Sequence, residues 1–148
     1  MGQKVKRRLG ELLVEDGLLT QAQLEEALKH QKENKGLLGQ ILIEKKFVEE
    51  DVLVGVLSKQ FKIPFLSLKN YSIDPDMAEV LSADFCHENM LVAFDCDHKR
   101  VYVALADPLN DDLVTEKIKA VTRREPQIFL ARVSEILNAI YFIYHENP

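Results

Sequence analysis

The 148-residue chain is 47% apolar and 29% charged. No apolar run approaches the ~20 residues needed to span a bilayer, so it reads as one globular domain or two small ones, with no direct insertion into a membrane. The net charge of −5 is uneven: ten basic and ten acidic residues up to Gln60, then nine and fourteen. That distribution argues against a general nucleic-acid surface, which more often has a basic domain.

The chain opens on Lys4, Lys6, Arg7 and Arg8 before any acid, a local attractor for anions. No apolar stretch follows as in a signal peptide, and Lys6 stands where a myristoylation signal wants Ser or Thr. Cys86 and Cys96 give no disulfide framework and suit a reducing cytoplasm.

An internal repeat dominates the first half. Residues 8–31 and 37–60 superpose at a shift of 29, pairing Leu9/Leu38, Gly10/Gly39, Leu13/Leu42, Leu24/Leu53, Leu28/Leu57 and Gln31/Gln60. Core patterning explains recurring leucines, but not a Gly and a Gln fixed at the same places in both copies. Each copy reads as a short helix, a tight turn and a longer helix. In the first, Gly17 stands at a left-handed helix end, Thr20 and Gln23 form a capping box, and Leu24, Ala27, Leu28 and Gln31 share a face. The second has Lys46 in place of Gly17 and Leu37 in place of Arg8. A left-handed lysine costs on the order of 1 kcal/mol, so that turn is expected to be strained or differently shaped.

Beyond Phe61 the pattern changes. Residues 63–68 read as a connector ending in a short strand, and Asp74-Pro75-Asp76 opens a helix carrying Met77, Val80 and Leu81. Ala83 to His87 makes a further turn. Met90–Asp95 and Arg100–Ala106 form a hairpin around Asp97-His98-Lys99. Asn110 or Asp111 caps a helix with Leu113, Ile118 and Val121. Gln127–Ala131 is a third strand, and Val133–Tyr144 a closing helix. The expected fold is α+β: a four-helix unit of two tandem hairpins (1–61), then a small α+β domain with a mainly antiparallel three-stranded sheet (62–148).

Catalytic constellations are missing. No Gly follows Gly55, which removes a Walker A loop and a dinucleotide fingerprint from the second half. Asp95, Cys96, Asp97 and His98 could hold a metal, but their setting suits a solvated turn. Cys86-His87 has no partner acid placed by the sequence, and a buried structural Cys is the commoner case. The repeat does offer binding chemistry. Arg8 carries a bidentate guanidinium, Gly10 allows close approach to free N–H groups at a helix start, and Gln31 and Gln60 match a base edge. The same residues also fit a plain hairpin core, with Gly10 as a packing glycine and Gln31 as a helix-end residue.

The pattern R-L-G-x-x-L-V-x-x-G-x-L-T-x-x-Q-L-x-x-A-L-x-x-Q, Arg8 to Gln31, resembles the N-terminal domain of type II secretion and type IV pilus assembly ATPases. In the MshEN type of that domain, two such motifs bind cyclic di-GMP. IPFLSL after the second motif and VALADPLN after the hairpin extend the likeness over the chain. The resemblance implies polar contacts from Arg8, Gln31 and Gln60. It implies an apolar bed from Leu9, Leu24, Leu28, Leu38, Leu53 and Leu57, and close backbone approach at Gly10 and Gly39. Asp107 is a further contact from the second subdomain. Leu37 and Lys46 are departures that weaken the second half-site.

The resemblance therefore implies a non-catalytic, cytoplasmic regulatory module without a cofactor, placed at inner-membrane machinery. Its partners would be cyclic di-GMP and a secretion or pilus ATPase motor or inner-membrane assembly protein. The alternative is a protein–protein docking domain that has lost nucleotide binding.

Overall fold

A computed structural model describes residues 9–108 and 111–145. Two compact units divide the chain, one ending at Leu57 and the other beginning at Ser58.

The first unit holds all but the last residues of the repeat. Helix α1 spans Leu9–Glu15, α2 Gln21–Asn34, α3 Leu38–Glu44, and α4 Glu50–Phe61. The α2 start is set as the sequence predicts. Thr20 Oγ1 accepts from Gln23 N–H at 3.1 Å, and Gln23 Oε1 accepts from Thr20 N–H at 3.0 Å. The α1 end is a Schellman turn, with Leu18 N–H donating to Leu13 O (2.9 Å) and Gly17 N–H to Val14 O (3.1 Å). The second copy repeats it bond for bond: Phe47 N–H to Leu42 O and Lys46 N–H to Ile43 O, both 3.0 Å. Lys46 has φ 62° where Gly17 has φ 74°. The turn is thus strained and not differently shaped. Leu12, Leu13, Leu19 and Leu24 are buried, as are their counterparts Ile41, Leu42, Val48 and Leu53.

In the second unit, α5 spans Ala83–Asn89, β1 Leu91–Cys96, β2 Arg100–Leu105, α6 Asp111–Thr122, β3 Glu125–Leu130 and α7 Val133–Tyr144. The fold is α+β, but the sheet is mixed and not mainly antiparallel. β1 pairs antiparallel with β2, and β2 pairs parallel with β3. The cause is α6, which carries the chain back along the sheet between β2 and β3, as a parallel pair requires. Leu91 to Phe94 are all buried, so side chains on both faces of β1 are covered. Ile136, Ala139, Ile140 and Ile143 form the buried stripe of α7, at helical spacing.

Some elements differ from expectation. Asp74-Pro75-Asp76 opens a 3₁₀ turn, Pro75–Glu79, too short to be an α-helix, with Asp74 Oδ1 accepting from Asp76 N–H at 2.9 Å. The connector's strand reduces to one parallel bridge, Phe65 to Leu130. On α6 the buried face is Val114 and Ile118, leaving Leu113 and Val121 58% and 60% exposed. Asn110, named as a cap, lies outside the described residues.

Candidate functional site

The repeat's helices gather several of the residues singled out above. Gly10 lies where α1 crosses α2: a methyl group there would overlap Leu24 Cδ1. Gly39 has the equivalent place against Leu53, where an added Cβ would lie 3.0 Å from Leu53 Cδ2 and 3.5 Å from Leu9 Cδ2. The Gly10–Leu24 and Gly39–Leu53 contacts lie within each copy, and Leu9 of the first copy reaches Gly39 of the second. Both glycines permit close helix crossings, the packing role weighed above. Arg8 lies outside the described residues.

The leucines are not equivalent. Leu9, Leu24, Leu53 and Leu57 are buried, Leu38 is half-buried, and Leu28 is exposed. Leu28 is 42% exposed whereas its counterpart Leu57 is 4% exposed. Leu18 and Val52 are further large apolar side chains open to solvent on this unit. The apolar area on offer to a ligand is therefore narrower than the sequence pattern suggests.

Two glutamines end in different surroundings. Gln31 Nε2 donates to Gly36 O at 2.8 Å, a contact the sequence did not disclose. Its only sequence trace is the single Gly in the link between copies. Gln60 sits exposed on the last turn of α4. At that helix end Ser58 Oγ donates to Ile63 O at 2.6 Å instead. Lys45 of the second copy and Glu26 of the first form a surface ion pair at 3.5 Å, worth at most about 1 kcal/mol.

Asp107 follows β2 in the second unit and is half-buried. The other chemistry-bearing residues there have structural tasks. Asp97 Oδ1 accepts from the N–H groups of Lys99 (2.8 Å) and Arg100 (2.7 Å), and those bonds hold its carboxyl below the ordinary range. This closes the hairpin turn. Among the described residues no three His, Cys, Asp or Glu side chains gather as metal ligands. Cys86 is buried, its Sγ 3.5 Å from Tyr144 Oη, which donates to Leu81 O. Glu135 accepts from Leu68 N–H (2.7 Å), Ser67 Oγ (3.2 Å) and Arg132 Nη1 (2.9 Å), tying the connector to α7. Arg132 also lies over the Phe65 ring, 4.9 Å from its centroid. Beside them is an apolar groove of roughly 380 Å³ flanked by Tyr71 and Phe142.

Among the described residues no helix is long and apolar enough to cross a membrane.

The family model described as the MshEN domain matches residues 61–146, more than half of the chain. The type IV pilus assembly ATPase PilB of Myxococcus xanthus is 30% identical over 139 residues, covering 94% of this chain and 24% of that protein. PilB of Thermus thermophilus is 29% identical over 142 residues, covering 95% of this chain and 16% of that protein. The chain spans about a quarter or less of the length of these curated relatives. Among solved structures, MshE with cdg (cyclic di-GMP) is similar at TM-score 0.70 and 26% identity, over 94% of this chain and all of that one. The N-terminal domain of XpsE shares the fold at TM-score 0.70 and 20% identity, over 95% of this chain and 96% of that one.

Proposed function

The chain belongs to the MshEN domain family, and from that premise we propose that it is a non-catalytic module binding cyclic di-GMP across its two tandem motifs. The observation that carries this reading is the likeness, over nearly the whole chain, to MshE in complex with that nucleotide. The two copies support it. Tandem motifs that each pack a glycine against a leucine, Gly10 on Leu24 and Gly39 on Leu53, supply two similar half-sites, as a ligand with two guanines and two phosphates requires.

In this reading residues 1–61 hold the ligand, and 62–148 form the companion subdomain. Arg8 meets a phosphate or guanine edge through its guanidinium. Gln31 and Gln60 supply amide contacts, and Leu28 and Leu38 give the apolar bed its open part. Leu9, Leu24, Leu53 and Leu57 back it from the core. The protein acts in the cytoplasm beside a secretion or pilus ATPase motor or an inner-membrane assembly protein. To regulate anything, the nucleotide must bind one arrangement of the module better than another.

Titration calorimetry with cyclic di-GMP tests this, with GTP and cyclic di-AMP as controls. Binding restricted to the guanine dinucleotide is expected. Arg8→Ala removes one charge-assisted contact, so its affinity should fall about ten- to a hundredfold, or roughly 1.5–3 kcal/mol. Absence of both heat and thermal shift in the unaltered protein would defeat the proposal. The chain would then be a docking module.

A further inference from the structure

The link between the two copies is held twice by one residue. The Gln31 main-chain carbonyl accepts from Lys35 N–H at 2.7 Å, and its side-chain Nε2 donates to Gly36 O at 2.8 Å. Of the two residues so held, Lys35 has a backbone conformation that resists being held, whereas Gly36 adopts one that glycine takes freely. Lys35 has φ 61° and ψ −174°, a region populated almost only by glycine, and Gly36 has φ 107°. A strained residue of this kind persists only where its neighbours over-determine it.

The next residue makes the dependence sharper. Leu37 occupies the N-cap of α3 without a side-chain capping bond. A Leu there cannot accept from the first-turn N–H groups as Ser, Thr, Asp or Asn would. The start of α3 is thus anchored from behind, through the link. Its placement matters, because a Cβ added at Gly39 would already touch Leu53 and Leu9. The second copy has no counterpart of this arrangement. α4 ends at Phe61, and among the described residues the Gln60 side chain has no hydrogen-bond partner.

We infer that Gln31 is a positioning residue that couples the two motifs. By holding Gly36 through Nε2 it fixes where α3 begins, and with it the place of Leu38 and Gly39. Its Oε1 and second N–H remain for a ligand, so one amide faces both the nucleotide and the second half-site. The ligand side of this inference rests on the function proposed above; the hold on α3 does not.

The test uses Gln31→Glu, which keeps length and acceptor but loses the N–H donor. Amide exchange is followed in the ligand-free protein at Ile41, whose N–H donates to Leu37 O, and at Leu24, whose N–H donates to Thr20 O, as an internal control. Exchange at Ile41 should quicken about five- to tenfold while Leu24 stays unchanged, the size expected from one lost hydrogen bond. Adding Lys35→Gly relieves the strain, so the double variant should recover slow exchange at Ile41. Cyclic di-GMP affinity should stay weakened in both variants, because each lacks the side-chain N–H that faces the ligand. Unchanged exchange at Ile41 alongside weakened binding would make Gln31 a ligand contact only and overturn the inference, as would fast exchange at Ile41 that Lys35→Gly fails to slow. Faster exchange at Ile41 with no nucleotide binding in any variant would uphold the hold on α3 while removing the proposed ligand.

Discussion

At the turn closing the short helix, the first copy of the repeat has Gly17 and the second Lys46, yet the backbone behaves alike at both. The same pair of Schellman bonds closes each turn, and each turn residue is left-handed. At the longer helix the situation reverses. Leu28 and Leu57 are the same residue at equivalent positions, yet one is largely open and the other enclosed. Backbone geometry here tolerates a residue that disfavours it, because two hydrogen bonds and the buried pairs Leu13/Leu42 and Leu19/Val48 require that turn. Side-chain environment, by contrast, does not follow from residue identity, since it depends on what packs beside each copy.

The largest effect should come from the leucine pair. Leu57→Ala opens a cavity in a packed core and is expected to cost about 2–5 kcal/mol. Leu28→Ala should stay within about 0.5–1 kcal/mol in the absence of ligand. Urea unfolding measures both, and equal costs would mean that the copies are energetically alike despite their different burial.

Next come the glycines. Gly10→Ala forces Leu24 to shift within the core and should destabilise by about 1–3 kcal/mol. Gly39→Ala meets only the far ends of Leu53 and Leu9 and gains helix propensity of about 0.5–1 kcal/mol, leaving it near neutral. A reversed order would mean that the second crossing is the tighter one.

The smallest effect belongs to the turn. Lys46→Gly should stabilise by up to about 1 kcal/mol by relieving the left-handed lysine, and Gly17→Lys should destabilise by a similar amount. Thermal melting of the two variants checks both signs.

Much of this was legible from residue spacing. The capping box at Thr20 and Gln23, the turn at Gly17, the hairpin over 91–105 and the closing helix Val133–Tyr144 follow from local chemistry, and the structure has each. The parallel pairing of β3 was not legible, because it depends on the path α6 takes over the sheet. Nor was the open side of α6, where helical spacing alone did not separate Val114 from Leu113. At the site, the Gly–Leu crossings were foreseeable as packing. The split between Leu28 and Leu57 and the hold of Gln31 on Gly36 arise from tertiary and main-chain contacts that leave almost no residue signature. The family match covers residues 61–146, beyond both motifs, whereas the pilus ATPase relatives align over 94% or more of the chain.

The short parallel bridge after the second copy has a consequence for solubility. Leu66 N–H donates to Leu130 O and Leu130 N–H to Pro64 O, so residues 64–66 cap one end of the β3 edge. An uncovered strand edge is a template for other chains, and a proline beside it blunts further pairing. The grip of Glu135 and Arg132 on Phe65, Ser67 and Leu68 keeps that cover in place. Loosening it would do more than free a connector: it would offer the end of β3 to a neighbouring molecule as a seed for aggregation.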